Sequence, residues 1–118
     1  AEEEGKEWER VTGKVVIASG ESTKVVVKLT ESGAVAVRWA VTTEDNDILV
    51  ATELQQGTAS LGKSAARRIE VGTGKTAKEV PAGEPVNFVL HLDNSYSYFT
   101  AKTVHYCIQG PVTDPLTK

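Results

Sequence analysis

The chain has 118 residues, of which 40% are hydrophobic and 25% are charged, and its formal net charge at pH 7 is −3. This is the size and composition of one globular domain with a core of its own. The negative charge argues against binding nucleic acid by bulk charge, and no apolar run approaches the roughly twenty residues that cross a bilayer. The single cysteine, Cys107, excludes an intramolecular disulfide and favours a reducing compartment.

Apolar side chains recur at every second position along most of the chain, which is the period of a half-buried strand. Val25, Val27 and Leu29 illustrate the pattern, and valine and threonine are abundant throughout. The alternation predicts strands at residues 13–18, 23–30, 34–43, 47–55, 64–71, 76–80, 85–93 and 102–109.

Clusters of Gly, Pro, Asn and Asp separate these segments, as at residues 72–74 and 81–85. Many short strands with such punctuation predict an all-β fold, an antiparallel β-sandwich of jelly-roll type with about eight strands. Residues 1–12 are predicted to be a solvated extension, residues 13–109 the sandwich, and residues 110–118 an extended tail.

Patterns that could carry chemistry are incomplete. The run Gly-Thr-Gly-Lys-Thr at residues 72–76 lacks the first glycine and the following helix of a phosphate-binding loop, so it predicts a hairpin loop. His91, His105 and Cys107 fall on the polar phase of their strands and are too few for a zinc site. The acidic residues of the turn 44–47 lack calcium-loop spacing. We therefore predict no catalytic, cofactor or metal site, and no enzyme.

Three aromatic residues, Tyr96, Tyr98 and Phe99, lie between the last two long strands, which are predicted to form a hairpin. Asp93 and Asn94 are expected to cap its turn by accepting hydrogen bonds from backbone amides. One or two of the aromatic rings are expected to close the end of the sandwich, and the rest to form a contact site for a protein partner. The alternative is that all three rings are buried.

Positive charge is concentrated between residues 63 and 78, at Lys63, Arg67, Arg68, Lys75 and Lys78. One interpretation is an ordinary charged surface. The other is a site for anionic lipid or phosphoinositide membranes, to which each basic residue could contribute roughly 1 kcal/mol.

Two segments resemble GOLD (Golgi dynamics) domains, and most closely the C-terminal GOLD domain of CRAL-TRIO lipid-transfer proteins. One is the tryptophan strand with its acidic turn at residues 37–48, where Ala40 and Val41 replace the usual acidic and aromatic residues. The other is the run Asp-Asn-Ser-Tyr-Ser at residues 93–97, followed by Lys102. The similarity covers residues 13–109, although residues 55–80 match only in length and pattern.

The resemblance implies a jelly-roll β-sandwich without catalytic activity. It further implies a protein–protein interaction module of Golgi and endomembrane traffic or of lipid-transfer proteins, with a partner in a trafficking complex. The lone cysteine matches the cytoplasmic branch of the family, because lumenal cargo receptors carry a cysteine pair. We accordingly expect a cytoplasmic protein, peripheral on Golgi or other endomembranes, that is the C-terminal module of a longer chain.

Overall fold

A computed structural model describes residues 9–30, 32–44 and 46–113. This part of the chain contains no helix, and thus none long and apolar enough to cross a membrane. It contains ten strands: β1 (Glu9–Ile17), β2 (Ser22–Leu29), β3 (Gly33–Thr43), β4 (Ile48–Gln56), β5 (Ala59–Lys63), β6 (Arg67–Ile69), β7 (Val71–Val80), β8 (Val86–Asp93), β9 (Lys102–Gly110) and β10 (Val112–Thr113).

The strands form two sheets in which all pairs are antiparallel. Sheet A has the order β1-β9-β3-β7, and sheet B has the order β10-β2-β8-β4-β5, with β6 also paired to β4. The chain changes sheet at nearly every connection, as expected of a jelly roll. The predicted all-β antiparallel sandwich is confirmed.

The core lies between the sheets and is built from alternate residues of each strand. Phe88, Leu90 and Leu92 of β8 are fully buried, and so are Val37 and Val41 of β3 on the opposite sheet. Their neighbours in sequence point away from the core because successive strand side chains alternate between the two faces. Burying one such side chain contributes about 1.5–3 kcal/mol, so these residues fix the register of both central strands.

The prediction was wrong in the middle of the chain. The segment 64–71 is not one strand, β5 was missed, and β7 includes the residues predicted to form a glycine loop at 72–76. These glycines permit close packing: a Cβ on Gly74 would lie 2.5 Å from the Trp39 ring, and one on Gly72 would lie 2.6 Å from Ile69. Glycine within a strand often marks such a close approach, which we misinterpreted as a turn.

The last two long strands do not form the predicted hairpin. β8 pairs with β2 and β4 in sheet B, whereas β9 pairs with β1 and β3 in sheet A. The segment 94–101 therefore crosses one end of the sandwich from sheet to sheet. At the termini, β1 begins at Glu9, inside the predicted extension, and β10 pairs with β2 inside the predicted tail. Residues 1–8 and 114–118 lie outside the described residues.

Candidate functional site: the aromatic crossover loop

The crossover loop, residues 94–101, is attached to the rest of the fold by the buried side chain of Asn94. Asn94 has 0% exposure, and its Nδ2 donates hydrogen bonds to the carbonyls of Ile17 (3.2 Å), Ala18 (3.2 Å) and Thr100 (2.8 Å). Its backbone amide donates to the carbonyl of Glu21 at 2.8 Å. One side chain thus connects both ends of the loop to the turn between β1 and β2.

Asp93 forms the predicted cap at the start of the loop. Its Oδ1 accepts a hydrogen bond from the Ser95 amide at 2.7 Å. Hydrogen bonds from the Ser95 side chain and backbone lower the pKa of the Asp93 carboxyl below its usual range. The predicted cap is therefore confirmed for Asp93, although the loop that it caps joins two sheets. For Asn94 the prediction was wrong, because its side chain donates to carbonyls and its Oδ1 accepts no hydrogen bond among the described residues.

Tyr96 is the one aromatic residue of the loop that turns inward. Its hydroxyl lies 2.6 Å from Oδ1 and 2.9 Å from the backbone oxygen of Asp47, to which it donates. The buried Lys102, with 3% exposure, donates from Nζ to the Asp47 backbone oxygen at 2.6 Å and to the Tyr96 hydroxyl at 3.2 Å. The Arg68 guanidinium lies over the Tyr96 ring, 4.1 Å from its centroid. Tyr96 therefore joins the loop to the β3–β4 turn, to β9 and to β6.

This cluster changes the acidity of its members in opposite directions. Burial of the phenol, followed by its hydrogen bond to Asp47, raises the pKa of Tyr96 to about 12. The hydrogen bond from Tyr96, aided by the charges of Arg68 and Lys102, lowers the pKa of Asp47 although partial burial acts the other way. At neutral pH the cluster therefore contains a neutral phenol that donates to a carboxylate.

Tyr98 and Phe99 point into solvent at the tip of the loop. They are 82% and 95% exposed, and their ring centroids are 6.5 Å apart in a tilted arrangement. Two large aromatic rings that lie in solvent contribute no packing energy to the folded state. Aromatic side chains do, however, often contribute most of the binding energy at protein interfaces. These adjacent rings form the aromatic tip, the strongest candidate for a contact site in the described residues.

Sequence reasoning missed the residues that hold this tip. Lys102 was named only as part of the resemblance. It has the same parity as the inward-facing Val104 and Ile108, and this strand period would have indicated that it points toward the core. Asp47 was assigned only to an acidic turn, and Arg68 only to a basic run. Contacts between these residues join positions about fifty apart in sequence, which the local pattern does not reveal.

The five basic residues of the predicted lipid site separate into two groups. Arg68 lies against Tyr96 beside the aromatic loop. Lys63, Arg67, Lys75 and Lys78 lie exposed on β5, β6 and β7, which are the edge strands of the two sheets on one side of the sandwich.

The remaining candidates do not converge on one site. His91 on sheet B pairs with Glu53 at 3.1 Å, and His105 on sheet A pairs with Glu44 at 2.9 Å. Within residues 9–30, 32–44 and 46–113, no cluster of three or more His, Cys, Asp or Glu residues could hold a metal ion. Hydrogen bonds from Ser60 and then from His91 lower the pKa of Glu53, so that this carboxylate is engaged within the fold.

Comparison with known proteins leaves the family open, because no protein-family model and no curated protein matches the chain.

Proposed function

We propose that this domain is a non-enzymatic protein-interaction module that binds its partner through the aromatic tip, Tyr98 and Phe99. The observation that carries the proposal is the almost complete exposure of two adjacent aromatic rings on a loop that is otherwise tied to the fold. A loop held in place before binding loses little conformational entropy when it binds. The tip can therefore insert into an apolar pocket of a partner at low entropic cost.

The resemblance to GOLD domains supports a setting for this interaction. Its most specific residues, Asp93, Asn94, Tyr96 and Lys102, are those that build the loop carrying the aromatic tip. We therefore propose that the domain acts as an adaptor in Golgi or endomembrane traffic, or in a lipid-transfer protein. Its partner is a protein of a trafficking complex, and its location is the cytoplasm or the cytoplasmic face of these membranes.

The test is affinity capture of partners by the wild-type domain and by a Tyr98→Ala/Phe99→Ala variant. Loss of two hot-spot aromatics at about 2 kcal/mol each predicts a loss of affinity for a purified partner of roughly 700-fold. Val71→Ala is the matched control, because Val71 is also an exposed large apolar residue but lies on β7. Undiminished binding by a folded double variant would refute the proposal.

Binding of anionic membranes is the second candidate function. It is favoured by the grouping of Lys63, Arg67, Lys75 and Lys78 on one side of the sandwich, where their attractions to a charged surface would add. The test is flotation with vesicles that contain phosphatidylserine or a phosphoinositide, compared with neutral vesicles. The absence of salt-sensitive flotation with the anionic vesicles would eliminate this candidate.

A further inference from the structure

The two sheets differ in width on the side of the molecule where β7 lies. Sheet A is four strands wide, whereas sheet B is five strands wide because β5 and β6 both pair with β4 along the same edge. At the far edge of sheet A, β1 contacts β10 and β2, so the sheets are aligned there. The extra width of sheet B therefore falls beside the free edge of β7, and no strand among the described residues pairs with that edge.

The burial of β7 agrees with an unfilled position next to it. On the neighbouring strand β3, the inward-facing residues Val35, Val37, Trp39 and Val41 are all buried. On β7, the inward-facing positions 72, 74 and 76 are only half-buried, and Lys78 is exposed. The inner face of β7 is thus incompletely covered by sheet B, and it is open toward its free edge.

A groove occupies this opening between the sheets. It is a cavity of about 340 Å³ whose lining includes Trp39, Val50, Arg67, Gly74 and Lys75. Because Gly74 carries no side chain, the Trp39 ring packs directly against the β7 backbone and forms one wall of the groove. We call this space the seam groove. Its lining combines apolar side chains with the hydroxyl groups of Thr52, Ser64 and Thr76, and it is bordered by the cations Arg67 and Lys75.

Two more cations, Lys78 and Lys63, lie on the side of the sandwich where the seam groove opens. The Nζ of Lys78 lies 3.6 Å from the place that a Cβ on Gly62 would take, so Lys78 reaches across from β7 to β5. Lys63 follows Gly62 on β5, but it lies opposite Glu53 of β4 on the outer face of sheet B. The acidic residues nearest in sequence, Glu70 and Glu79, flank the strand at its two ends. Positive charge therefore predominates along the middle of the free edge.

We propose that the free edge of β7 and the seam groove bind an extended acidic peptide segment, which adds to sheet A as a fifth strand. An unpaired strand edge offers a row of backbone N–H and C=O groups, and strand addition satisfies them on both chains. Alternate side chains of the added strand would enter the seam groove, where acidic ones would meet Arg67 and Lys78, and acidic side chains on the opposite face of the strand would meet Lys75. This site is separate from the aromatic tip and carries a different partner chemistry.

The geometry favours a peptide over a membrane surface at this site. The cations surround a groove and a strand edge, which match an extended chain, whereas a bilayer presents a broad surface. The two most exposed aromatic rings, which could enter a bilayer interface, lie on the crossover loop at the end of the sandwich. Membrane binding through these lysines is therefore the competing outcome of the test.

The experiment uses an eight-residue peptide in which pairs of glutamates alternate with pairs of valines, so that both faces of the added strand carry acidic side chains. Trp39 lines the groove and is one of two tryptophans, so a Trp8→Phe background makes its fluorescence a specific reporter of peptide binding. We expect saturable binding that weakens as salt is added. A Lys75→Glu/Lys78→Glu variant should bind about tenfold more weakly, because two attractive charge pairs become repulsive.

Two controls distinguish strand addition from general charge attraction. Lys24→Glu/Lys28→Glu makes the same change in net charge on exposed residues of β2 and should leave peptide affinity unchanged. A peptide N-methylated at alternate amides keeps its charge but loses donors for pairing, and it should lose most of its affinity. A Tyr98→Ala/Phe99→Ala variant should bind the peptide normally, so the two proposals fail independently.

Three results would overturn the proposal. The first is equal weakening by both pairs of charge reversals, which would indicate only bulk attraction. The second is undiminished binding of the N-methylated peptide. The third is salt-sensitive binding of anionic vesicles that requires Lys75 and Lys78 when the acidic peptide does not bind.

Discussion

Replacement of Asn94 by aspartate gives the most direct test of how the crossover loop is held. The two side chains have nearly the same shape, but aspartate places an oxygen where Nδ2 now donates to three carbonyl oxygens at 2.8–3.2 Å. At neutral pH the new carboxylate would be fully buried among acceptors. A buried charge without a partner costs several kcal/mol, so the pKa of the new carboxyl should rise and the protein should become least stable at high pH.

The loss of stability expected for Asn94→Ala follows from the hydrogen bonds that this substitution removes. Nδ2 has two hydrogens for three acceptors, so about two hydrogen bonds at about 0.5–1.5 kcal/mol each disappear, and buried carbonyls lose their partner. We expect a loss of about 2–4 kcal/mol in the free energy of unfolding. For a domain of this size that corresponds to a fall of roughly 10 °C in Tm.

The assay is urea unfolding at pH 5 and pH 8, followed by circular dichroism. Asn94→Ala should lose the same stability at both pH values, whereas Asn94→Asp should be markedly less stable at pH 8 than at pH 5. Asn87→Ala is the control, because Asn87 is half-buried on the outward face of β8. If Asn94→Ala lost less than about 1 kcal/mol, the buried amide would not hold the loop and the reasoning would be refuted.

Four further predictions concern the core and the ionisable cluster. Phe88→Ala, at a position with 0% exposure, should lower the free energy of unfolding in urea by about 3–5 kcal/mol. Gly74→Val should lower Tm and change the near-ultraviolet circular dichroism, because its Cβ would lie 2.5 Å from the Trp39 ring. Folding raises the pKa of Tyr96 to about 12, so the stability that this phenol contributes is complete below pH 10 and is lost as pH rises toward 12. Tyr96→Phe should therefore remove the loss of Tm at alkaline pH in thermal melts. Folding lowers the pKa of Asp47, so the stability that this carboxylate contributes is present above the ordinary pKa of 3.8 and is lost as pH falls through the depressed pKa. Asp47→Asn should therefore reduce the fall of Tm at acid pH in the same thermal melts.

Much of the fold could be predicted from the sequence because its strands have one buried face. In β3 and β8, alternation fixed both the strand and the face, and the structure agrees at Val37, Val41, Phe88 and Leu90. The alternation could not tell which strands pair, because pairing depends on contacts between residues distant in sequence. The alternation also failed to predict β7 at Gly74, which lies on the inward face but has no apolar side chain. The Trp39 ring of the neighbouring strand packs in that place instead, and the local sequence pattern does not show it.

The site was predictable only in part, for a related reason. The sequence showed three aromatic residues in one loop, but a loop has no period that assigns a side chain to one face. What turns Tyr96 inward is the pair formed by Asp47 and Lys102, which come from two other parts of the fold. Tyr98 and Phe99 have no such polar partners among the described residues and remain exposed.

The crossover loop combines two tasks that would conflict in a flexible segment. Its polar residues form hydrogen bonds to the β1–β2 and β3–β4 turns, across 49 to 77 positions of sequence. These bonds hold the backbone, so that the aromatic tip need not collapse onto the sandwich to be ordered. If closing the sandwich were the only task of the loop, Tyr96 and Asn94 would suffice, and two exposed rings beyond them would add only a risk of aggregation. Their presence on a loop fixed at both ends therefore supports the proposal that they bind a partner, and the buried residues below them would then determine the direction from which the partner approaches.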